Sequence, residues 1–244
     1  MNTVRTFFHR LRHTISRIRL TTPVAIILAA LILGGSHIVY GLVVSGTQQK
    51  QVSYFAGKPI DTADHIEGNA KNGVYIVEYS DPECPYCISL HPTMKQLRTE
   101  YESKVAFVYR YFPLTQIHPH AFDESKAIAC AANIKGTQGF YQYIDTLYGY
   151  KIGNQTTQLP ENGKEDIAKN IGIEKAQFDA CMKDKATDMT IDSSVNDGVQ
   201  AGVEGTPSTF ILKETKKGYE VVAMIDGARP YDYFKAAIDE ALSR

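Results

Sequence analysis

Two cysteines three positions apart, Cys84 and Cys87 in the stretch Cys84-Pro85-Tyr86-Cys87, are the residues of this chain best suited to chemistry. Pro85 fits the first turn of a helix, so the pair is expected at a helix start. There the unpaired backbone N–H groups and the positive end of the helix dipole stabilise a thiolate. A thiol so placed loses its proton near neutral pH, and the thiolate is the attacking species. Cys84 is expected to be the outward nucleophile. Cys87, one turn on, is expected to be more buried and to resolve a mixed disulfide formed at Cys84. The same spacing also suits half a zinc site, with His91, His118 and His120 as further ligands. A static disulfide inside the tetrapeptide is disfavoured, because so tight a loop strains the bridge. The exchange reading requires no metal and no cofactor.

The elements around the pair are legible from periodicity. Val74–Ser80 is β-branched and aromatic, a strand that Asp81-Pro82 closes. A helix is expected from Pro85 to about Tyr101, kinked by Pro92, and then a second strand over Val105–Tyr111. Strand–helix–strand in that order predicts a parallel pairing. From His118 to about Gly202 the pattern is helical, with helices over Ala121–Asn133, Phe140–Tyr148, Ile167–Ile171, Ala176–Met182 and Met189–Ala201. Strands return at Ser208–Leu212 and Glu220–Ile225, and Tyr231–Leu242 reads as a closing amphipathic helix. The fold class is therefore α/β, a mixed sheet split by a helical insertion at about 118–202.

Residues 1–45 carry five arginines (Arg5, Arg10, Arg12, Arg17, Arg19) and no acid, which leaves 21 basic against 27 acidic side chains in the rest. The acidic remainder argues against nucleic acid as a partner, since such binding needs a basic face. Val24–Val44 is uncharged with His37 neutral, and its length matches the ~20 residues that span a bilayer. With all five arginines before it, the N-terminus is expected in the cytoplasm and the rest outside. The expected organisation is a cytoplasmic basic tail at 1–22, a transmembrane signal anchor at 23–45, a linker at 46–60 and a catalytic domain at 61–244. A cleaved signal peptide with Val24–Leu33 as its apolar region is the other reading. Either one puts the domain where disulfides persist.

With these residues in view, the chain resembles the DsbA/BdbD-like thiol–disulfide oxidoreductases of the thioredoxin superfamily. Tyr75–Cys87 is similar to that family's strand into the active-site helix, and Arg110–Ala121 to its entry into the helical domain. Gly136–Tyr148 and Gly202–Leu212 are similar to a helix of that domain and to its cis-proline strand. The resemblance covers about residues 60–242 and implies a thioredoxin-like fold. It also implies roles. Pro207 becomes a cis-proline facing the dithiol, and Thr206 offers its backbone to a substrate strand, with Pro85 and Tyr86 on the same binding surface. Glu78 becomes a buried acid that assists proton transfer at Cys87; the alternative is an edge-strand glutamate in solvent. Glu83 is expected in solvent, and His118 and His120 are read as structural. Cys130 and Cys181 form a structural disulfide in some members, against the alternative of two free thiols.

The resemblance further implies an extracytoplasmic protein disulfide oxidoreductase acting on reduced exported proteins. It would be reoxidised by a DsbB-like or VKOR-like membrane partner. Pro85-Tyr86 is ambiguous about direction: a dithiol oxidase is favoured, with an isomerase or reductase as the alternative. A non-catalytic chaperone or scaffold of the same fold is the reading from another class.

Overall fold

In the computed structural model, residues 52–244 are described, and Val52–Arg244 forms one unit. A five-stranded sheet runs in the order β1-β3-β2-β4-β5, with β1 at His65–Gly68, β2 at Val74–Ser80, β3 at Ala106–Tyr111, β4 at Ser208–Thr215 and β5 at Gly218–Asp226. Every residue of β2 is buried because the strand is central and covered on both faces. It pairs parallel with β3 and antiparallel with β4, so the sheet is mixed as expected.

Side chains alternate across the sheet, and this sorts the core. Val74 and Ile76 face α1 (Pro85–Tyr101) and α6 (Tyr231–Ser243), where Leu90, Met94, Leu97, Phe234 and Ile238 meet them. Tyr75, Val77 and Tyr79 face the other way, towards Phe112, Val203 and Phe210. Glu78 has the parity of Ile76, and its register partner on β3 is Tyr109. The sheet therefore delivers a carboxylate and a phenol to the face that carries α1. That helix runs through Pro92 as one element, burying Cys87, Ile88, Leu90, His91, Met94, Leu97 and Tyr101 on one side.

The helical insertion comprises α2 (Ala121–Gly153), α3 (Gly163–Asn170), α4 (Lys175–Lys183) and α5 (Lys185–Ala201). The two helices expected at its start are both present as the two arms of α2, which meet at a kink at Gly136, whose φ of 66° and ψ of −161° suit glycine alone. The bend is large. Glu124 and Lys151 lie 27 positions apart, which in a straight helix is about 40 Å, yet their side chains meet at 2.5 Å. α2 is thus a helical hairpin that folds back on itself. The third core, built from this hairpin with Phe178 of α4 and Ile191 of α5, also contains Cys84, Cys87, Tyr109 and Tyr111.

One expectation needs correction, and one strand was missed. The segment taken as a linker up to residue 60 is docked over the part described. Phe55 donates its N–H to the Tyr219 carbonyl at 2.8 Å, and Ser53 accepts from Val221 at 2.9 Å, so the β5 edge gains a partner. Lys58 and Pro59 carbonyls accept from the buried Arg110, which also pairs with Asp64 and Asp197. Edge strand β1 went unread, because His-Ile-Glu-Gly is four residues long and lacks a β-rich run. The basic tail and the anchor at 23–45 lie outside the described residues. Among the described residues no helix is long and apolar enough to cross a membrane.

Candidate functional site

The loop between β2 and α1 is organised by Asp81, which is fully buried. Its Oδ1 accepts the N–H groups of Glu83 at 2.7 Å and Cys84 at 3.2 Å. Its Oδ2 accepts from the Leu114 N–H at 2.8 Å and pairs with His118 Nδ1 at 2.7 Å. Its own N–H points at Cys87 Sγ, 3.4 Å away. Asp81 therefore shapes the turn that presents one cysteine and donates to the other. Cys84 occupies the N-cap of α1 with extended backbone angles, and Pro85 follows at the first helical position.

Opposite the helix start lies the turn before β4. The Thr206–Pro207 peptide bond is cis. The Cys84 thiol donates to the Thr206 carbonyl at 3.4 Å. Ser208 Oγ ties this turn down by donating to the Gly205 carbonyl, and it bonds Asp226 Oδ1, both at 2.9 Å. The Thr206 hydroxyl is buried with no hydrogen-bond partner at ordinary distance among the described residues, so its hydrogen bond is left for a Cys84 thiolate. A cavity of about 590 Å³ adjoins the turn, lined by Glu204, Thr206, Pro207, Met224 and Asp226 among others. Pro85 is exposed, and Tyr86 is 64% exposed beside the dithiol.

Cys84 is not outward, contrary to expectation. It is 3% exposed, because the Thr206 carbonyl and the insertion core cover it. Cys87 is fully buried. Both are free thiols. The two sulfurs titrate in opposite directions. Cys84 is lowered to about 6, first by hydrogen bonding from the Cys87 thiol, then by the Cys87 N–H, the Thr206 side chain and the Tyr86 N–H, against the cost of burial. The expected helix-start amides do contribute, but the partner thiol contributes more. Burial pushes the Cys87 thiol well up, helped by hydrogen bonding with Cys84 and by the Cys84 and Glu78 charges. One sulfur is held ready as thiolate and the other as thiol.

Behind Cys87 lies a buried polar cluster. Glu78 is raised by burial, offset in part by hydrogen bonding from Ser80 and by the Arg98 charge. It is not an edge-strand glutamate, because β3 and β4 flank it on either side. Ser80 Oγ lies 3.4 Å from the Tyr148 hydroxyl, which donates to the Asp81 carbonyl at 3.4 Å. Burial raises both Tyr109 and Tyr148, and the Cys87 and Glu78 charges push the same way. A carboxyl whose affinity for a proton is raised by burial, near a thiol kept protonated, can pass a proton to or from the resolving sulfur.

Glu83 is corrected too. It is buried, and its carboxylate accepts the His120 N–H at 2.8 Å, at the start of α2. His118 and His120 are structural in the sense that they join the insertion to the dithiol loop. Cys130 and Cys181 are bonded to each other, linking α2 to α4 across a separation of 51 residues. Asp81, Tyr109, Tyr148, Lys151 and Glu124 were not singled out from the sequence. Asp81 had a signal, since an acid three positions before a helix N-cap is a common turn former. The tyrosines and the lysine had none. Among the described residues, no group of three or more His, Cys, Asp or Glu is arranged to hold a metal ion.

A buried dithiol at a helix start, faced by a cis-proline turn and backed by a carboxyl, defines a thioredoxin-fold exchange site. A family model described as Thioredoxin matches residues 61–240, and the chain belongs to that family. The solved structure of Wolbachia pipientis alpha-DsbA1 superposes with a TM-score of 0.65 at 18% identity, covering 76% of this chain and 94% of that one. Pseudomonas aeruginosa DsbA2 gives 0.60 at 25% identity, covering 75% and 96%. A Rickettsia bellii protein assigned as a protein-disulfide oxidoreductase is 26% identical over 188 residues, 75% of this chain and 66% of its own length. A Na(+)/H(+) antiporter NhaA 1 from Salinispora arenicola is 30% identical over 169 residues, 68% of this chain. The chain spans only 24% of that antiporter's length.

Proposed function

We propose that this chain is an extracytoplasmic, membrane-anchored protein disulfide oxidoreductase that works as a dithiol oxidase on exported proteins. The observation that carries the reading is the split between a lowered Cys84 and a raised Cys87 under the Thr206 carbonyl. A stabilised thiolate favours the reduced form, so the oxidised form readily gives its disulfide away. In the forward step a substrate thiolate attacks Cys84 Sγ of the Cys84–Cys87 disulfide. The S–S bond breaks, a mixed disulfide forms, and Cys87 leaves and takes up a proton, with Glu78 as the nearby donor. A second substrate thiolate then displaces Cys84 as thiolate. The substrate has lost two electrons and the enzyme dithiol holds them. Reoxidation reverses the order: Cys84 thiolate attacks the disulfide of a quinone-linked membrane partner, and Cys87 resolves the mixed disulfide.

The membrane and compartment parts rest on the apolar stretch Val24–Val44 behind five arginines. They are tested by labelling intact cells with a membrane-impermeant thiol reagent after reduction. Labelling only after lysis refutes an extracytoplasmic domain. Direction is tested by equilibrating the dithiol with glutathione and assaying reduced, unfolded substrate. A potential near about −120 mV fits an oxidase, and one near about −270 mV turns the reading into a reductase.

A further inference from the structure

The loop that carries Cys84 is fastened to the helical insertion from both ends of α2. At the N-terminal end, the Glu83 carboxylate accepts the His120 N–H at 2.8 Å, a favourable place for an anion. At the other end, Lys151 Nζ donates to the Pro82 carbonyl at 2.9 Å and to Glu124 Oε2 at 2.5 Å. The Lys151 ammonium is wholly buried and its Glu124 partner nearly so. A buried ion pair of this kind is weak evidence for stability, because its desolvation cost rivals its attraction. Here it does something more specific. It closes the α2 hairpin and spends its second hydrogen bond on a backbone carbonyl two residues before the nucleophile.

We propose that Lys151, held by Glu124, is a positioning residue for the exchange reaction: the folded-back α2 hairpin sets the orientation of the Cys84 thiol through the Pro82 carbonyl. This deepens the exchange reading and rests on it. The donors that stabilise the Cys84 thiolate are the Tyr86 and Cys87 amides, the Cys87 thiol and Thr206, and they serve only if the loop presents the sulfur to them. Loosening Pro82 takes the sulfur away from that set.

The test follows the pH dependence of Cys84 alkylation by iodoacetamide in the reduced full chain, read peptide by peptide by mass spectrometry, alongside a melting curve. Lys151→Met removes the clamp but strands the Glu124 carboxylate, and it can fail to fold. The charge-neutral double variant Lys151→Met/Glu124→Leu therefore decides, since apolar replacement of a buried pair is often tolerated. The expected result is that Cys84 titrates at least about half a pH unit higher in the double variant, a roughly threefold weaker acid. That variant leaves the net charge of the buried pair unchanged. A double variant that melts lower but titrates like the wild type overturns the proposal. A wild-type Cys84 that titrates like a free thiol overturns both the proposal and the exchange reading. Failure of the oxidase assay alone overturns only the proposed direction.

Discussion

Cys84/Cys87 and Cys130/Cys181 are two sulfur pairs in one hydrophobic core, and the first pair is free while the second is bonded. Burial does not separate them, since Cys87 and Cys130 are both inaccessible. Their polar neighbours do. Cys84 has amide donors at a helix start, a partner thiol and the Thr206 turn around it. Cys181 has only a Thr187 hydroxyl at 3.6 Å and an Asn133 amide at 3.9 Å beyond its bonded partner. The first pair sits where the two redox states can be balanced against each other. The second joins separate helices and has only those two long side-chain contacts beside Cys181. Reactivity in this chain is a matter of which donors face the sulfur.

The sharpest way to break that contrast is to remove the sulfurs in turn. Cys84→Ser should drop exchange with reduced substrate to the uncatalysed level, whereas Cys87→Ser, given an oxidised disulfide substrate, should accumulate a mixed disulfide at Cys84 with release of one substrate thiolate, visible by mass spectrometry. Exchange that survives Cys84→Ser refutes the assignment. Next in size, Cys130→Ala/Cys181→Ala should cost about 3–4 kcal/mol in denaturant unfolding by the loop-closure argument, with the Cys84 titration unmoved. A shifted titration would mean that the two pairs are coupled.

Glu78→Gln should slow the step of reoxidation in which Cys87 resolves the mixed disulfide by about a hundredfold or more, the usual size of a lost proton-transfer group, and leave the attack of Cys84 on the partner disulfide intact. It should also bring the Cys87 thiol down, because the Glu78 charge holds it up. Equal slowing of both steps would make Glu78 merely structural. The smallest effect concerns pH. With Cys84 at about 6, its alkylation rate should fall about twofold between pH 7 and 6 and steeply below. The folded value lies under the ~8.5 of an unfolded thiol. The reduced form therefore gains stability from this group fully above about pH 8.5 and loses it as pH falls through about 6. Unfolding titrations of the reduced chain against pH check that sign.

Much of this was readable in the chain itself. Val74–Ser80 announces its strand because a central strand buried on both faces is rich in β-branched and aromatic residues, with Glu78 as its one charged exception. Cys84-Pro85-Tyr86-Cys87 announces the dithiol and its helix start, since Pro at the first helical position and a one-turn spacing are local matters. Period-two alternation puts Glu78 on the Ile76 face, but only the parallel register with β3 brings Tyr109 beside it. The burial of Cys84 and Glu83 escaped local reasoning because what covers them, Thr206 and His120, lies far along the chain. The Lys151–Glu124 clamp is the clearest case. Nothing in Gly136 says how far a helix folds back, so two residues about 40 Å apart along a straight helix become hydrogen-bonded partners only through the packed insertion. Sequence determined which groups carry the chemistry. The tertiary structure decided how deeply both sulfurs are buried and what faces them across the fold, because Thr206 and Glu78 reach them from separate segments.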